Sequence, residues 1–242
     1  MASTGRVIVV AQSKGGVGKS TTATNASLYL RGDGDLVVLV DLGRQLESYD
    51  FMTERRDQLP DLPQVVTWTP WKDFPARDQE RERVAETRAK IRAFAEKGAF
   101  VVIDCPPVDS EDSPLVEVAL LEADLVVCPF LAGGNDYKAY GRCLTMVHSL
   151  KLKGHTPEAI AFMNKYSAQD NDDHAMRGFL MGSGVFTYIG EVPRGVEVKR
   201  STALKKSVWE HKAKSNGGKA MLAVCTKIAA AARKLDLVEV SK

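Results

Sequence analysis

The chain has 242 residues, of which 44% are hydrophobic and 26% are charged, and its formal net charge is +2. This composition is typical of a soluble globular protein, and a chain of this length can bury a proper core without disulfides or metals. Because the net charge is small, the electrostatic field of the whole molecule does not attract nucleic acid, and binding of nucleic acid would require a local basic patch.

The cysteines are widely spaced and form no C-x-x-C pair. This spacing argues against a disulfide framework and against a zinc or iron–sulfur site, and it favours a reducing cytoplasm. No apolar run approaches the roughly 18 residues of a membrane span, and the apolar stretch near the N-terminus is too short for a signal peptide. We therefore expect a cytoplasmic protein. The four cysteines are Cys105, Cys128, Cys143 and Cys225.

Short apolar runs alternate with longer amphipathic segments along the whole chain. The continuously apolar, β-branched character of the runs indicates strands buried on both faces, as in a parallel sheet. The pattern predicts an α/β fold with a doubly wound, mostly parallel sheet flanked by helices, in a single domain over residues 1–242. The predicted strands are Arg6–Ala11, Leu36–Asp41, Gln64–Trp68, Phe100–Cys105, Leu125–Phe130, Ala159–Asn164 and Tyr188–Pro193, and the predicted helices are Lys19–Arg31, Gln79–Lys97, Asp136–Leu150 and Gly217–Leu235.

The region between the second strand and the second helix is rich in proline, which predicts an irregular excursion there. The helix that follows carries many charges but places four apolar residues on one stripe, so we expect a surface helix with a core-facing seam. The prolines are Pro60, Pro63, Pro70 and Pro75, and the stripe consists of Val84, Ile91, Phe94 and Ala95.

The stretch S-K-G-G-V-G-K-S-T, residues 13–21, follows the first predicted strand and opens the first predicted helix. This is the context of a phosphate-binding loop, in which glycines let backbone N–H groups approach an anion and the helix N-terminus adds partial positive charge. Lys19 is expected to reach the β- and γ-phosphates, and the Ser20 hydroxyl to coordinate Mg²⁺. The standard pattern has glycine where this chain has Ser13, so the loop is a variant.

This variant resembles the deviant Walker A loop of the ParA/MinD family of partition and positioning ATPases. The resemblance implies that Lys14 crosses a dimer interface to the ATP held by the other subunit, where its charge would neutralise the γ-phosphoryl group. An exposed loop residue is the alternative interpretation of Lys14. The expected ATP-binding residues of the loop are Lys14, Gly15, Gly16, Val17, Gly18, Lys19, Ser20 and Thr21.

The resemblance extends over most of the chain. V-V-I-D-C-P-P, residues 101–107, resembles the Walker B segment, which implies that Asp104 faces Mg²⁺ through water and that Val108–Pro114 is a switch region. Asn164 matches a position that presents an amide to adenine, although a simple turn residue remains an alternative, and Pro193 would lie near the base. The implied metal-site residues are Ser20, Asp41 and Asp104, and the implied catalytic residues are Lys14, Lys19 and Asp41.

One residue departs from the family pattern at the end of the second strand. The family usually carries D-x-D-x-Q, whereas this chain reads D-L-G-R-Q over residues 41–45. The missing aspartate, replaced by Gly43, would orient the water that attacks the γ-phosphate, and such a positioned base typically contributes about 10²–10⁴-fold. Either the change traps the ATP-bound state or another group substitutes, with Glu47 and Asp50 as candidates. We predict slow hydrolysis, intact ATP binding and an accumulated dimer.

Basic residues are concentrated between residues 194 and 219, where only Glu197 and Glu210 oppose them. Phosphate contacts by Lys and Arg give sequence-independent, salt-sensitive affinity, which suits non-specific binding of duplex DNA. A solvated basic surface is the alternative, but the resemblance favours DNA binding, because partition ATPases use the corresponding surface once ATP has joined two subunits. The expected DNA-binding residues are Arg194, Lys199, Arg200, Lys205, Lys206, Lys212 and Lys214.

Two other functions compete with partition. A MinD-like membrane role requires a terminal basic amphipathic helix, whereas the tail is alanine-rich and contains Asp236 and Glu239. A metabolic relative such as an amidoligase stays open, while a nitrogenase iron protein would need cluster-ligating cysteines. We therefore expect a nucleoid-associated homodimer that segregates plasmid or chromosomal DNA together with a ParB-like centromere-binding protein, and that does not bind a membrane.

Overall fold

The structure is a computed structural model that describes residues 5–108, 110, 112–131 and 136–233. Seven strands form one sheet in the order β3-β2-β4-β1-β5-β6-β7, and every neighbouring pair is parallel. The predicted α/β class and parallel sheet are confirmed. The strands are β1 (Arg6–Val10), β2 (Val37–Asp41), β3 (Val66–Trp68), β4 (Phe100–Asp104), β5 (Leu125–Phe130), β6 (Glu158–Tyr166) and β7 (Thr187–Pro193).

Helices cover both faces of this sheet, as expected where parallel strands are joined by crossover connections. The helices of the described ranges are α1 (Lys19–Gly32), α2 (Glu47–Gln58), α3 (Pro70–Asp73), α4 (Glu80–Glu96), α5 (Ser113–Leu121), α6 (Asp136–Leu152), α7 (Asn171–Gly182), α8 (Val196–Ala203), α9 (Val208–Lys212) and α10 (Asn216–Ala232).

The core lies in two layers, one on each face of the sheet. Alternate residues of β1 divide between the layers: Val7 and Val9 pack on the α4–α6 side, whereas Ile8 and Val10 pack against α1 and α10. Burial of both faces explains why the strands appear in the sequence as continuous apolar runs.

The register brings the ends of neighbouring strands to one level. Val10 lies opposite Asp104 in the β1–β4 pair, and Asp41 lies opposite Asp104 in the β2–β4 pair. The loop between β1 and α1 therefore opens at the same edge as these two carboxylates. Ligands of doubly wound sheets bind at this carboxyl edge, where the strand order reverses.

All seven predicted strands and the four predicted helices are present, although the end of the last predicted helix, at Leu235, lies outside the described residues. The sequence did not reveal α2. Its inward face consists of Ser48, Phe51, Met52 and Arg55, so polar residues occupy both ends of the buried stripe and mask the apolar periodicity. Arg55 is fully buried because it donates to both carboxylate oxygens of Glu210, at 2.9 and 2.7 Å, which joins α2 to α9.

The predicted seam of α4 is confirmed only in part. Ile91 is fully buried, whereas Val84, Phe94 and Ala95 are partly buried at the border of the core. Arg83 and Thr87 take the remaining buried positions of this helix. There the Arg83 guanidinium donates hydrogen bonds to the carbonyl oxygens of Phe74 and Ala76. A buried polar side chain needs such partners.

Candidate nucleotide site

A cavity of about 1070 Å³ opens at the carboxyl edge of the sheet. Its wall combines the loop after β1 with residues at or beyond the carboxyl ends of β2, β4, β6 and β7. Because these segments are far apart in the sequence, only the parallel topology brings them together. Among the predicted nucleotide- and metal-binding residues, Lys14 and Val17 do not line the cavity, and those that do are Gly15, Gly16, Gly18, Lys19, Ser20, Thr21, Asp41, Asp104, Asn164 and Pro193.

The loop after β1 is held in shape by the carboxyl end of β6. Gly18 precedes α1 with a φ of 100°, a left-handed conformation that favours glycine. The Asn164 Nδ2 group donates to the carbonyl oxygen of Val17 at 2.7 Å, and the Lys165 Nζ group donates to that of Gly16 at 3.1 Å. A Cβ at Gly18 would lie 2.2 Å from Asn164 Nδ2, so this position has no room for a side chain.

The two lysines of the loop occupy different environments. Lys19 is buried, and its Nζ group donates to the carbonyl oxygen of Lys14 at 3.0 Å. Burial lowers the pKa of the Lys19 ammonium, while the Asp104 carboxylate opposes this shift. The Lys14 side chain is partly exposed and is not among the residues that line the cavity. This placement separates the two lysines, and their service to different nucleotides stays a prediction.

Asp41 is held by the N-terminus of α2. Its Oδ2 atom accepts from the backbone N–H groups of Ser48 and Tyr49, both at 3.0 Å, and from the Ser48 hydroxyl at 2.9 Å. Its Oδ1 atom accepts from the Gly43 N–H at 2.9 Å. Burial raises the pKa of Asp41, and these hydrogen bonds oppose the shift. Four accepted bonds orient the carboxylate and join the loop after β2 to α2.

Asp104 is the buried carboxylate that fits a metal ion. Among the described residues its Oδ1 atom has no hydrogen-bond partner, although it is buried. Burial and the nearby Asp41 charge raise the pKa of Asp104 to about 7. Such an unsatisfied oxygen beside the Ser20 hydroxyl suits Mg²⁺, which prefers oxygen ligands and typically keeps waters and substrate phosphates. Within the described residues no group of three or more His, Cys, Asp or Glu side chains could hold a metal ion, so the nucleotide itself would supply ligands.

Replacing Asp104 by Asn should stabilise the nucleotide-free protein at alkaline pH. The pKa of this carboxyl is about 7 in the folded protein and about 4 in an unfolded chain. Between these values the folded state binds the extra proton, so the free energy of unfolding falls as the pH rises through this window. We expect Asp104→Asn to gain about 1–3 kcal/mol over the parent at pH 8 and to lose that gain at pH 4.5. Thermal unfolding in EDTA at both pH values checks this. If the variant and the parent differ in stability by the same amount at both pH values, the prediction is wrong.

A side chain at the position of the missing carboxylate would be a tight fit. Gly43 lines the cavity, and a Cβ placed on it would lie 3.3 Å from Asp41 Oδ1, the one close contact among the described residues, so Asp41 would shift by a few tenths of an ångström. Of the two substitutes considered from the sequence, Glu47 lines the same cavity and Asp50 does not. The structure therefore places Glu47, but not Asp50, at the site.

The predicted switch region after β4 borders the cavity. Residues 109 and 111 lie outside the described residues, whereas Ser110 and Asp112 line the cavity wall. The segment is therefore close enough to contact a bound nucleotide, and its role as a switch stays a prediction.

The basic segment lies beside the cavity and partly within its wall. Arg194, Lys199 and Lys205 line the cavity, and Lys205 also forms an ion pair with Glu54 at 3.1 Å. Arg200, Lys212 and Lys214 are exposed and lie outside the cavity wall, and Lys206 is partly exposed. The predicted DNA-binding residues thus divide into a group that faces the nucleotide site and a group that faces solvent.

Three residues at the site were not singled out from the sequence, although Asp112 falls within the predicted switch region. Lys165 adopts a φ of 54° at an irregularity of β6, and Arg44 and Asp112 form an ion pair at 2.8 Å. All three line the cavity. A non-glycine residue with positive φ is a signal of strain at a functional site, but it is visible only in the structure.

The tail that argued against a membrane role is described only up to residue 233, so Asp236 and Glu239 lie outside the described residues. Within the described part, α10 buries Ile228 and the alanines that follow against the sheet. No helix of the described ranges is long and apolar enough to cross a membrane.

Comparisons with known proteins agree with this geometry. The chain is 27% identical to the chromosome partitioning protein ParA of Myxococcus xanthus, over 92% of this chain and 87% of that protein. In fold it is similar to a variant of Cyanothece McdA in complex with ATP, with a TM-score of 0.71, 17% identity and coverage of 97% and 98% of the two chains. It is also similar to the septum site-determining protein MinD of Pyrococcus horikoshii complexed with Mg-ADP, with a TM-score of 0.62, 17% identity and coverage of 92% and 95%. The profile of the ATPase MipZ family matches residues 6–175, which is more than half of the chain, and the chain therefore belongs to this family of ATPases.

Proposed function

We propose that this chain is a ParA-like partition ATPase, in which binding of Mg-ATP drives formation of a sandwich dimer that binds duplex DNA non-specifically. Slow hydrolysis would reset the switch, and a ParB-like centromere-binding protein would stimulate it. The proposal is supported by the convergence of Lys19, Ser20, Asp41 and Asp104 on one cavity at the carboxyl edge of the sheet, together with membership of an ATPase family.

Each group of the cavity has a task that its chemistry suits. Burial lowers the pKa of Lys19. Its ammonium group donates to the Lys14 carbonyl oxygen in the structure and would donate to the phosphates of bound ATP instead. The Ser20 hydroxyl and the Asp104 carboxylate would hold Mg²⁺, which would neutralise charge on the phosphate oxygens. Asp41, which is held by hydrogen bonds from the N-terminus of α2, would orient a water bound to the metal ion. Asn164 and Pro193 would lie beside the adenine base of ATP.

The second lysine suits a task in the dimer. Lys14 lies in the same loop as Lys19 but outside the wall of its own cavity. In a face-to-face dimer its ammonium would reach the ATP of the other subunit, where a cation delivered in trans stabilises the transferring phosphoryl group. Because the site of one subunit is completed by the other, ATP binding and dimer formation would be coupled equilibria.

The basic segment would then bind DNA. Arg200, Lys212 and Lys214 are exposed outside the cavity, and two such surfaces in one dimer would double the number of phosphate contacts. Arg194, Lys199 and Lys205 line the cavity, so the same segment lies next to the nucleotide and next to the proposed DNA surface. This arrangement would let the nucleotide state affect the DNA surface.

The triple variant Arg200→Ala/Lys212→Ala/Lys214→Ala should lose at least tenfold in affinity for duplex DNA in the presence of Mg-ATP. Each lost phosphate contact should also reduce the slope of log K against log salt by about 0.9. ATP affinity should stay unchanged, because these residues lie outside the cavity wall. Titration of fluorescent duplexes of unrelated sequence at several salt concentrations measures both quantities.

The matched control is Arg81→Ala/Lys97→Ala/Lys151→Ala, which also removes three exposed positive charges, two at the ends of α4 and one in the last turn of α6. It should leave the DNA affinity within twofold of the parent. Equal losses in both variants would mean that net charge, and not this surface, determines binding. A triple variant that binds DNA like the parent would remove the DNA surface from the proposal.

A further inference from the structure

The cavity contains carboxylates beyond the two that flank the metal position. Asp112 and Glu47 also line its wall, from the start of α5 and the start of α2. The loop after β2, which the family would use to present a carboxylate, has Gly43 instead. A group that holds the attacking water must therefore come from elsewhere, or hydrolysis must proceed without one.

Asp112 is held by that same loop. Its side chain is 8% exposed, and its Oδ1 atom accepts from Arg44 Nε at 2.8 Å. Arg44 is the residue that follows Gly43. The loop that lacks a carboxylate at residue 43 therefore positions the carboxylate of Asp112. A buried, ion-paired carboxylate has few alternative rotamers and can hold a water in one place.

Arg44 is itself fixed on its other side. Its guanidinium lies 4.4 Å from the centre of the Trp71 ring, and Arg83 approaches the same ring at 4.2 Å. The Trp71 indole donates to the carbonyl oxygen of Leu42 at 2.8 Å. The ring is thereby tied to the loop after β2, and the loop, Trp71, Arg44 and Asp112 form one connected unit.

Glu47 is the competing carboxylate, and its setting is less suited to the task. It is exposed at the first turn of α2, and its longer side chain has more rotatable bonds to fix. An in-line attack requires the water to be held within a few tenths of an ångström of the productive position. The better-fixed carboxylate is the stronger candidate.

We propose that Asp112 holds the water that attacks the γ-phosphate, in place of the carboxylate missing at Gly43, and that Arg44 is its positioning residue. The inference rests on the proposed ATPase function and deepens it. The water oxygen forms a bond to the γ-phosphorus, the bond from that phosphorus to the β–γ bridging oxygen breaks, and ADP leaves. The water proton passes to the Asp112 carboxylate and then to the released phosphate. Because Asp112 Oδ1 accepts the hydrogen bond from Arg44, the water donates to the other carboxylate oxygen, Oδ2.

The test measures ATP turnover, the KM for ATP and the affinity for ATP of the full-length protein and its variants. We expect Asp112→Asn to lower kcat at least tenfold, with KM and ATP affinity within twofold of the parent. Arg44→Gln, which keeps the carboxylate, should lower kcat at least fivefold without raising KM. Asp50→Asn, a carboxylate outside the cavity, serves as the control and should leave both constants unchanged.

A second site in the same chain distinguishes a chemical role from a structural one. If Asp112 only supports the fold, then Gly43→Asp cannot compensate for its loss. We expect the double variant Gly43→Asp/Asp112→Asn to turn over ATP at the rate of Gly43→Asp alone. Thermal unfolding of each variant identifies any that fail to fold, in which case the Arg44→Gln result decides.

Three results would overturn the inference: parental turnover in Asp112→Asn, a loss confined to Glu47→Gln, or a parent that binds ATP without hydrolysing it. In each case the proposed ATP switch stands, because it depends on ATP binding and not on Asp112. A parent that does not bind Mg-ATP would instead overturn the proposed function itself.

Discussion

Gly43→Asp should raise the rate of ATP hydrolysis by about tenfold, because a positioned base contributes about 10²–10⁴-fold and Asp112 already supplies part of that contribution in the parent. The structure admits the change with a small shift of Asp41, because among the described residues an added Cβ would meet only Asp41 Oδ1, at 3.3 Å, and Gly43 does not have a positive φ. The new carboxylate would enter the cavity that already contains Lys19 and Asp104. Steady-state phosphate release with Mg²⁺ and duplex DNA present measures the gain.

The matched control for this variant is Gly43→Asn, which adds the same volume without a charge. It should hydrolyse ATP no faster than the parent, because an amide cannot take the proton of the attacking water. If the parent already turns over ATP as fast as Gly43→Asp, then the glycine does not limit hydrolysis. The account of slow turnover would then be wrong.

Gly18→Ala should abolish nucleotide binding, with a loss of at least a hundredfold in ATP affinity. The added Cβ would lie 2.2 Å from Asn164 Nδ2, and the φ of Gly18 is +100°. A left-handed conformation alone costs an alanine about 1–2 kcal/mol, and the clash would also displace Asn164 from the Val17 carbonyl. Equilibrium binding of ATP and thermal unfolding of the same samples measure both effects.

Gly15 provides the comparison within the same loop. A Cβ at Gly15 meets no atom of the described residues within 4 Å, and its φ is not positive. Gly15→Ala should therefore keep the fold and most of the ATP affinity. If Gly18→Ala binds ATP as tightly as Gly15→Ala, the loop does not need the shape described for it.

The sequence predicts the nucleotide loop and the sheet well because both depend on local signals. The strands are continuous apolar runs, and the glycines, Lys19 and Ser20 are adjacent in the chain. The parallel topology then follows from the alternation of strands and helices, and it places Asp41 and Asp104 at one edge. These features needed no knowledge of contacts between distant residues.

Other features depend on contacts that no local pattern records. The buried face of α2 is polar at both ends because Arg55 is neutralised by Glu210, which lies far along the chain. Asp112 comes to the site through Arg44, and Arg44 is held by Trp71. In the sequence, Asp112 is one of several acidic residues in a polar stretch, and only the ion pair distinguishes it.

The placement of the basic segment also differs from what its composition suggests. A run of Lys and Arg indicates a solvated surface or a DNA surface, yet Lys205 is paired with Glu54 and lines the nucleotide cavity. Composition records the charges but not the direction in which each side chain points. For this reason the residues that face solvent, Arg200, Lys212 and Lys214, are the informative ones to replace.

If Mg-ATP joins two subunits through Lys14, the mass of the protein in solution should depend on the bound nucleotide. Sedimentation should show a dimer with Mg-ATP and a monomer with Mg-ADP, and Lys14→Ala should stay monomeric with ATP bound. An unchanged mass in all three samples, with ATP binding demonstrated, would contradict the account.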